Sequence, residues 1–195
     1  MPSLKSVGYI AVMRIYIQQI LKKLIKKRLL FFIPLLLTTS CKNDAPNPQG
    51  NQKHFENTQI KIPTGDLIKI KFAITEKEQI QGLSGITKNQ FKRNEGLLFF
   101  YLETGIRKFW MPNTFFNLDI FYLDKKLKVL DIVRNLPAHP GYDEPPLIPR
   151  AKAVISHHVL EMRSDSPLSK KINTGDQLEL ISHFSLSEIE SKIRL

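Results

Sequence analysis

One cysteine, Cys41, is all that 195 residues contain, so the chain has no disulfide of its own. Acidic residues are missing from the first 28 positions, which hold seven basic ones: Lys5, Arg14, Lys22, Lys23, Lys26, Lys27 and Arg28. Setting those seven aside leaves 22 basic against 18 acidic residues, and the formal charge falls from +11 to +4. The nucleic-acid reading that the raw charge invites therefore loses most of its support, and no nucleic-acid partner is expected. Also absent are a Gly-x-Ser-x-Gly elbow, a His-Glu-x-x-His pair and a phosphate-cradling glycine loop. No apolar run approaches the roughly 20 residues that a helix needs to span a bilayer.

What stands near the start is an export signal. The cationic stretch Lys22 to Arg28 precedes the apolar run Leu29-Leu-Phe-Phe-Ile-Pro-Leu-Leu-Leu37, which ends at Thr38-Thr39-Ser40-Cys41. This is the plan of a signal peptide, expected over residues 1–40, with Met13 as an alternative start. Ser40-Cys41 resembles the lipobox of bacterial lipoproteins, although Thr38 stands where a branched aliphatic residue is usual. The resemblance implies cleavage before Cys41, a diacylglyceryl group on its thiol and a fatty acyl chain such as palmitate on the new amino terminus. The rival reading is an incidental cysteine at the end of a signal sequence. Each buried methylene of such chains contributes about 0.8 kcal/mol, enough in sum to hold a protein on a membrane surface. Lys42, where an Asp would retain the protein at the inner membrane, favours the outer membrane of a two-membrane cell. Residues 41–57 have almost no apolar side chain after the cysteine and read as a flexible tether.

Order is expected from about residue 58. Gln59 to Ile62 and Asp66 to Ile74 alternate apolar and polar residues around Pro63-Thr-Gly65, the pattern of strand, turn, strand. Thr75 and Glu78 have capping-box spacing for a short helix over Glu76 to Gln81. A second helical turn is expected over Thr87 to Arg93. Gly96 to Leu102 is apolar enough to be a strand covered on both faces. Leu118 to Leu123 and Lys128 to Val133 read as a hairpin, and Ala153 to Glu161 as one strand that points His157 and His158 to opposite faces. A short helix over Pro167 to Ile172, a last strand over Asp176 to Ser182 and a loosely held helix in a tail over 185–195 complete the pattern.

Six elements in order, Gln81-Gly-Leu83, Glu95-Gly-Leu-Leu-Phe-Phe100, Phe109-Trp-Met-Pro-Asn-Thr114, Leu118-Asp-Ile-Phe121, Leu160-Glu161 and Gly175-Asp176, resemble the family catalogued as domain of unknown function 192. The resemblance covers about residues 58 to 183. Two places depart from it: Ser84-Gly85-Ile86, where the family has Met and a basic residue, and Met162 to Ser166, where it has a glycine-containing turn. It implies a compact β-rich domain with no agreed biochemical activity.

The reading of the domain, over 58–184, is α+β and β-rich: a partly open, barrel-like antiparallel sheet around Leu98, Phe100, Trp110, Ile120 and Ile132, with two or three short helices. Candidate ligand-binding residues are Trp110, Asn113, Thr114, Asp119 and Glu95. Trp110 reads as core or as a stacking platform, and Pro112-Asn-Thr114 as a turn or a ligand contact. Asp119 sits among apolar neighbours, where an unpartnered carboxylate is costly. Its expected partners are Asn113, Thr114, Arg107 or Lys108; a structural network and a ligand-binding or catalytic role both stay open. The long Pro137 to Arg150 connection holds five prolines and His139, Asp143 and Glu144, but no paired ligand spacing, so neither metal nor cofactor is expected. The leading expectation is a lipid-anchored cell-envelope module that binds a small molecule, sugar or peptide without catalysis. The alternative is a small hydrolase with Asp119 as acid or base.

Overall fold

Period-two alternation does build the first strands. The computed structural model describes residues 57–193, where β1 (Gln59–Lys61) and β2 (Leu67–Ala73) pair antiparallel around a turn closed by Gly65 N donating to Ile62 O at 2.8 Å. The expected signal peptide, Cys41 and the tether up to residue 56 lie outside the described residues. Ile68, Ile70 and Phe72 of β2 are buried while Leu67, Lys69 and Lys71 are exposed, so one face of the hairpin enters the core. Helix α1 (Glu76–Gln81) starts on a capping box: Glu78 N donates to Thr75 Oγ1, and the Glu78 carboxylate accepts from Thr75 N.

The chain then enters β3 (Glu95–Phe99), which pairs parallel to β2. That corrects the wholly antiparallel expectation; a crossover carrying α1 separates the two strands, and only a crossover can return a chain in parallel. Over Thr87 to Arg93 there is no helix but a set of turns, with Phe91 N donating to Thr87 O and the Phe91 ring fully buried. The Leu118–Leu123 strand (following the short β4, Gly105–Arg107) is β5, and it forms the expected hairpin with β6 (Val129–Leu136). The expected single strand at 153–161 is two, β7 (Val154–Ser156) and β8 (His158–Arg163), separated by a bend at His157. β7 leaves the main sheet to pair with β4 in a two-stranded ribbon that the alternation pattern did not reveal. A three-residue 3-10 turn (Ser169–Lys171) replaces the helix expected at Pro167 to Ile172, and β9 (Glu179–Ile181) follows.

The seven-stranded sheet runs β6-β5-β8-β3-β2-β1-β9 and curls into a half barrel. The segment leading into β9 meets the start of β6: Val129 N donates to Asp176 O, Gly175 N to Val129 O and Leu178 N to Leu127 O. The interior of the curl holds Ile68, Ile70, Phe72, Leu98, Phe100, Phe121, Leu160 and Met162. A second apolar cluster on the opposite face contains Leu83, Phe91, Leu97, Phe99, Met111, Phe116, Ile120, Tyr122 and Val159, covered by the excursions at 82–91 and 109–116. Ile120 thus belongs to the outer cluster, and Trp110 to neither. Gly96 is required by close packing in the curl, since a Cβ there would lie 2.7 Å from Leu160 Cδ1 and 3.2 Å from Ile70 Cδ1. Helix α2 (Leu186–Ile193) is not the loosely held tail expected: Ile189 is fully buried in the interior cluster, with Leu186 and Ile193 packed against it. Among the described residues no helix is long and apolar enough to cross a membrane.

Candidate functional site

Asp119 lies at one end of the curl, buried, and its partners are not the ones expected. Oδ2 accepts from Arg134 Nη1 at 2.9 Å and from the Ser169 hydroxyl; Oδ1 accepts from Asn135 N at 2.8 Å. Arg134 in turn donates to the carbonyls of Ser169 (2.8 Å) and Ile172, and stacks 5.1 Å above the Phe121 ring. A carboxylate with both oxygens engaged ties β5, β6 and the 3-10 turn together. The separation in sequence explains the missed partners: Arg134 and Ser169 are 15 and 50 residues away. Glu95 has a local role as well, accepting from Lys71 Nζ at 3.2 Å and from Lys92 N at 2.8 Å at the entry to β3.

Asn113 and Thr114 stand elsewhere, where three loops converge. Thr114 N donates to His139 O and His139 N to Thr114 O, so this buried threonine is tied to the proline-rich connection. Asn113 takes the left-handed conformation (φ 51°); its carbonyl accepts from Gly85 N at 2.8 Å, its N–H donates to Gly141 O, and its amide donates to Tyr142 Oη at 3.4 Å. Ser84 Oγ is also 3.4 Å from Tyr142 Oη. Gly85 has φ +79°, and a Cβ there would touch the Asn113 amide at 3.4 Å. Trp110 faces the other way from buried Met111, lies 39% exposed and has the Arg150 guanidinium 5.7 Å from its ring. The five candidates therefore do not form one constellation: Asp119 and Glu95 serve the sheet, Asn113 and Thr114 shape a loop cluster, and Trp110 faces solvent.

Glu161 departs from the rule that buried charged groups are paired. It occupies the middle of β8, directly opposite Leu97 of β3 and Ile120 of β5, both members of the outer cluster. It is 5% exposed and has no hydrogen bond or ion pair with any described residue. Arg163, two residues along on the same face, is turned away, donating to Asp165 and to the carbonyls of Lys88 and Phe91. Desolvation pushes the Glu161 carboxyl up to about 8, so at neutral pH it is mostly protonated. Two phenols feel it: burial, opposed by the nearby Arg107 and assisted by Glu161, raises Tyr101 to about 12, and burial with Glu161 raises Tyr122 as well. Leu83 and Met111, which flank Ser84 and lead into Asn113, pack in the same cluster as Leu97 and Ile120. The buried acid and the polar loop cluster thus belong to one face of the sheet.

A second polar group sits where the ribbon joins β8. The bend at His157 brings the rings of His157 and His158 to 4.5 Å, instead of sending them to opposite faces. His157 Nδ1 is 2.9 Å from Thr104 Oγ1, and its Nε2 is 3.8 Å from Glu190 on α2. His158 Nδ1 accepts from Tyr101 N, and burial, with His157, Arg107 and Lys125 nearby, lowers it to about 3. Burial, with Lys125 nearby, lowers His157 as well. Among the described residues no group of three or more His, Cys, Asp or Glu is placed to hold a metal ion.

Residues 58–180 match the family profile of DUF192, described as an uncharacterised ACR. No curated protein matches the chain. A solved structure from Novosphingobium aromaticivorans DSM 12444, a protein of unknown function, is similar at 28% identity and a TM-score of 0.50, covering 63% of this chain and 82% of that one. Another, from Sinorhizobium meliloti 1021 and provisionally named a transcription regulator, is similar at 24% identity and a TM-score of 0.48, covering 63% and 90%.

Proposed function

This chain belongs to the DUF192 family, and we propose that it is an exported lipoprotein, held by Cys41, whose outer sheet face binds a small nitrogen-bearing ligand of the cell envelope at Glu161. The observation that carries the reading is the absence of any partner for that carboxyl among the described residues. Burying a carboxyl without a partner costs the fold several kcal/mol if it ionises, and a solely structural strand would do better with leucine there. An amine or amide N–H from a ligand supplies the missing donor. Charge-assisted hydrogen bonds of this kind are about twice as strong as neutral ones, and the cluster around Leu97, Met111 and Tyr122 would exclude water from them. Ser84, Asn113 and Tyr142 offer a polar lip for the rest of the ligand, which suits a peptide or an amino sugar.

The reading is one of binding rather than catalysis, because no described hydroxyl or imidazole is bonded to Glu161 to share acid and base roles. An acid or base role for Asp119 would require it to shed Arg134 and Ser169. Glucosamine and short alanine-containing peptides should raise the melting temperature of the full chain at pH 7, with glucose as the control lacking nitrogen. Binding that draws Glu161 into its ionised form also releases a proton, which calorimetric titration in two buffers of different ionisation enthalpy would detect. The binding reading fails if the nitrogen-bearing compounds protect Glu161→Leu as well as the native protein. Mass spectrometry of the amino-terminal peptide tests the anchor separately, by the acyl mass on Cys41.

A further inference from the structure

The β4–β7 ribbon has an outer face with a composition unlike the rest of the surface. Exposure alternates along residues 106 to 111: Ile106, Lys108 and Trp110 point outward, Arg107 lies against Tyr101, Phe109 packs on the outer cluster and Met111 is buried. Ile155 is the direct cross-strand partner of Ile106, so the two share a face. They are 63% and 66% exposed, and among the described residues only Leu147 is a more exposed large hydrophobic side chain. The ribbon continues to an antiparallel bridge between Trp110 and Arg150, whose guanidinium lies over the indole. Two isoleucines and an indole, bordered by Lys108 and Arg150, therefore form one outward strip.

We propose that this strip rests on the surface of the lipid bilayer that holds the acyl chains of Cys41, seating Trp110, Ile106 and Ile155 at the headgroup boundary. The proposal rests on the lipoprotein reading above for the identity of the membrane. Tryptophan favours that boundary because its ring is apolar and its N–H polar, and neighbouring Lys and Arg pair with anionic headgroups. A patch this small would bind free vesicles weakly. The chain between Cys41 and Asn57 is 15 residues, about 50 Å at full extension, so an anchored domain never leaves the neighbourhood of the surface. Tethering turns docking into an intramolecular event, for which weak contacts are sufficient. The face that meets lipid is also distinct from the face that carries Glu161, since Trp110 points away from Met111.

Trp110 is the only tryptophan in the chain, so its fluorescence reports this strip and nothing else. The full protein, extracted from membranes and checked for acylation of Cys41 by mass spectrometry, would be reconstituted into vesicles of phosphatidylethanolamine and phosphatidylglycerol, with and without brominated acyl chains. Docking predicts blue-shifted emission that brominated lipid quenches. It also predicts loss of both effects in Ile106→Asp/Ile155→Asp, with circular dichroism and melting temperature unchanged. Acylated protein whose emission stays red-shifted and unquenched overturns the docking and leaves the anchor standing. A blue shift that appears in detergent without lipid and grows with protein concentration means a second copy covers the strip, which also overturns it. Protein lacking acyl chains on Cys41 removes the lipoprotein reading. It also ends the docking, because without the tether a strip this small would not hold the domain on a bilayer.

Discussion

Replacing Glu161 with Gln keeps the shape of the side chain and removes the proton that the native state holds. The carboxyl is raised to about 8 in the fold from an ordinary 4.5, so the unfolded chain loses this proton first as pH rises. Between those two values the native state binds one proton more than the unfolded state, and stability must fall with increasing pH. The slope is about 1.4 kcal/mol per pH unit, which accumulates to about 3 kcal/mol by pH 7 and to an upper limit of about 5 kcal/mol by pH 8. The glutamine variant has no such term. Urea unfolding of both proteins at pH 5, 6, 7 and 8 gives a difference in free energy that isolates position 161, because the buried histidines contribute equally to each. The variant should gain on the native protein steadily across the series. A difference that is flat in pH, or that moves in favour of the native protein as pH rises, would refute a neutral, unpartnered carboxyl on the outer face.

Asp119→Asn should lower stability by about 2–4 kcal/mol in the same assay, leaving Arg134 without its full counter-charge. The figure falls toward the low side of a broken buried pair because the Arg134 side chain is 38% exposed. It should leave the response to nitrogen-bearing ligands intact, whereas a ligand role for Asp119 predicts its loss. Ile189→Ala, at a fully buried position of the C-terminal helix, should cost about 2–5 kcal/mol; a cost near zero would show that α2 is dispensable for the core.

The fold was legible in the sequence where local rules act alone. Alternation located β1 and β2, the Thr75 and Glu78 pair located α1, and the Asp124 to Leu127 turn located the β5–β6 hairpin, with Leu127 supplying the positive φ of 65°. It was illegible where tertiary contacts decide. The β4–β7 ribbon has three residues per strand, too few to register a period, and it adjoins the outer cluster through Val154 and, just beyond β4, Phe109 and Met111. The bend at His157 that swings β8 back into the main sheet carries neither glycine nor proline, so nothing in the sequence marks it.

Tertiary contacts decide the candidate site as they decide the ribbon. Asp119 stood out because one acid in an apolar run demands an explanation, and the explanation proved to be an arginine that spacing does not bring near. Glu161 sits in a run of the same kind, Val159-Leu-Glu-Met162, where the sequence alone marks it only as part of a family motif. The physical difference between the two acids is what their faces offer. The interior end of the curl supplies Arg134 and Ser169, while the outer face supplies leucine, isoleucine and the Tyr122 phenol, which donates to Lys152 O. An acid inside an apolar strand is therefore a marker of two opposite situations, a paired clamp and an orphan. Only the neighbours across the strand decide between them, and at Glu161 those neighbours are Leu97 and Ile120, whose apolar side chains offer its carboxyl no hydrogen bond.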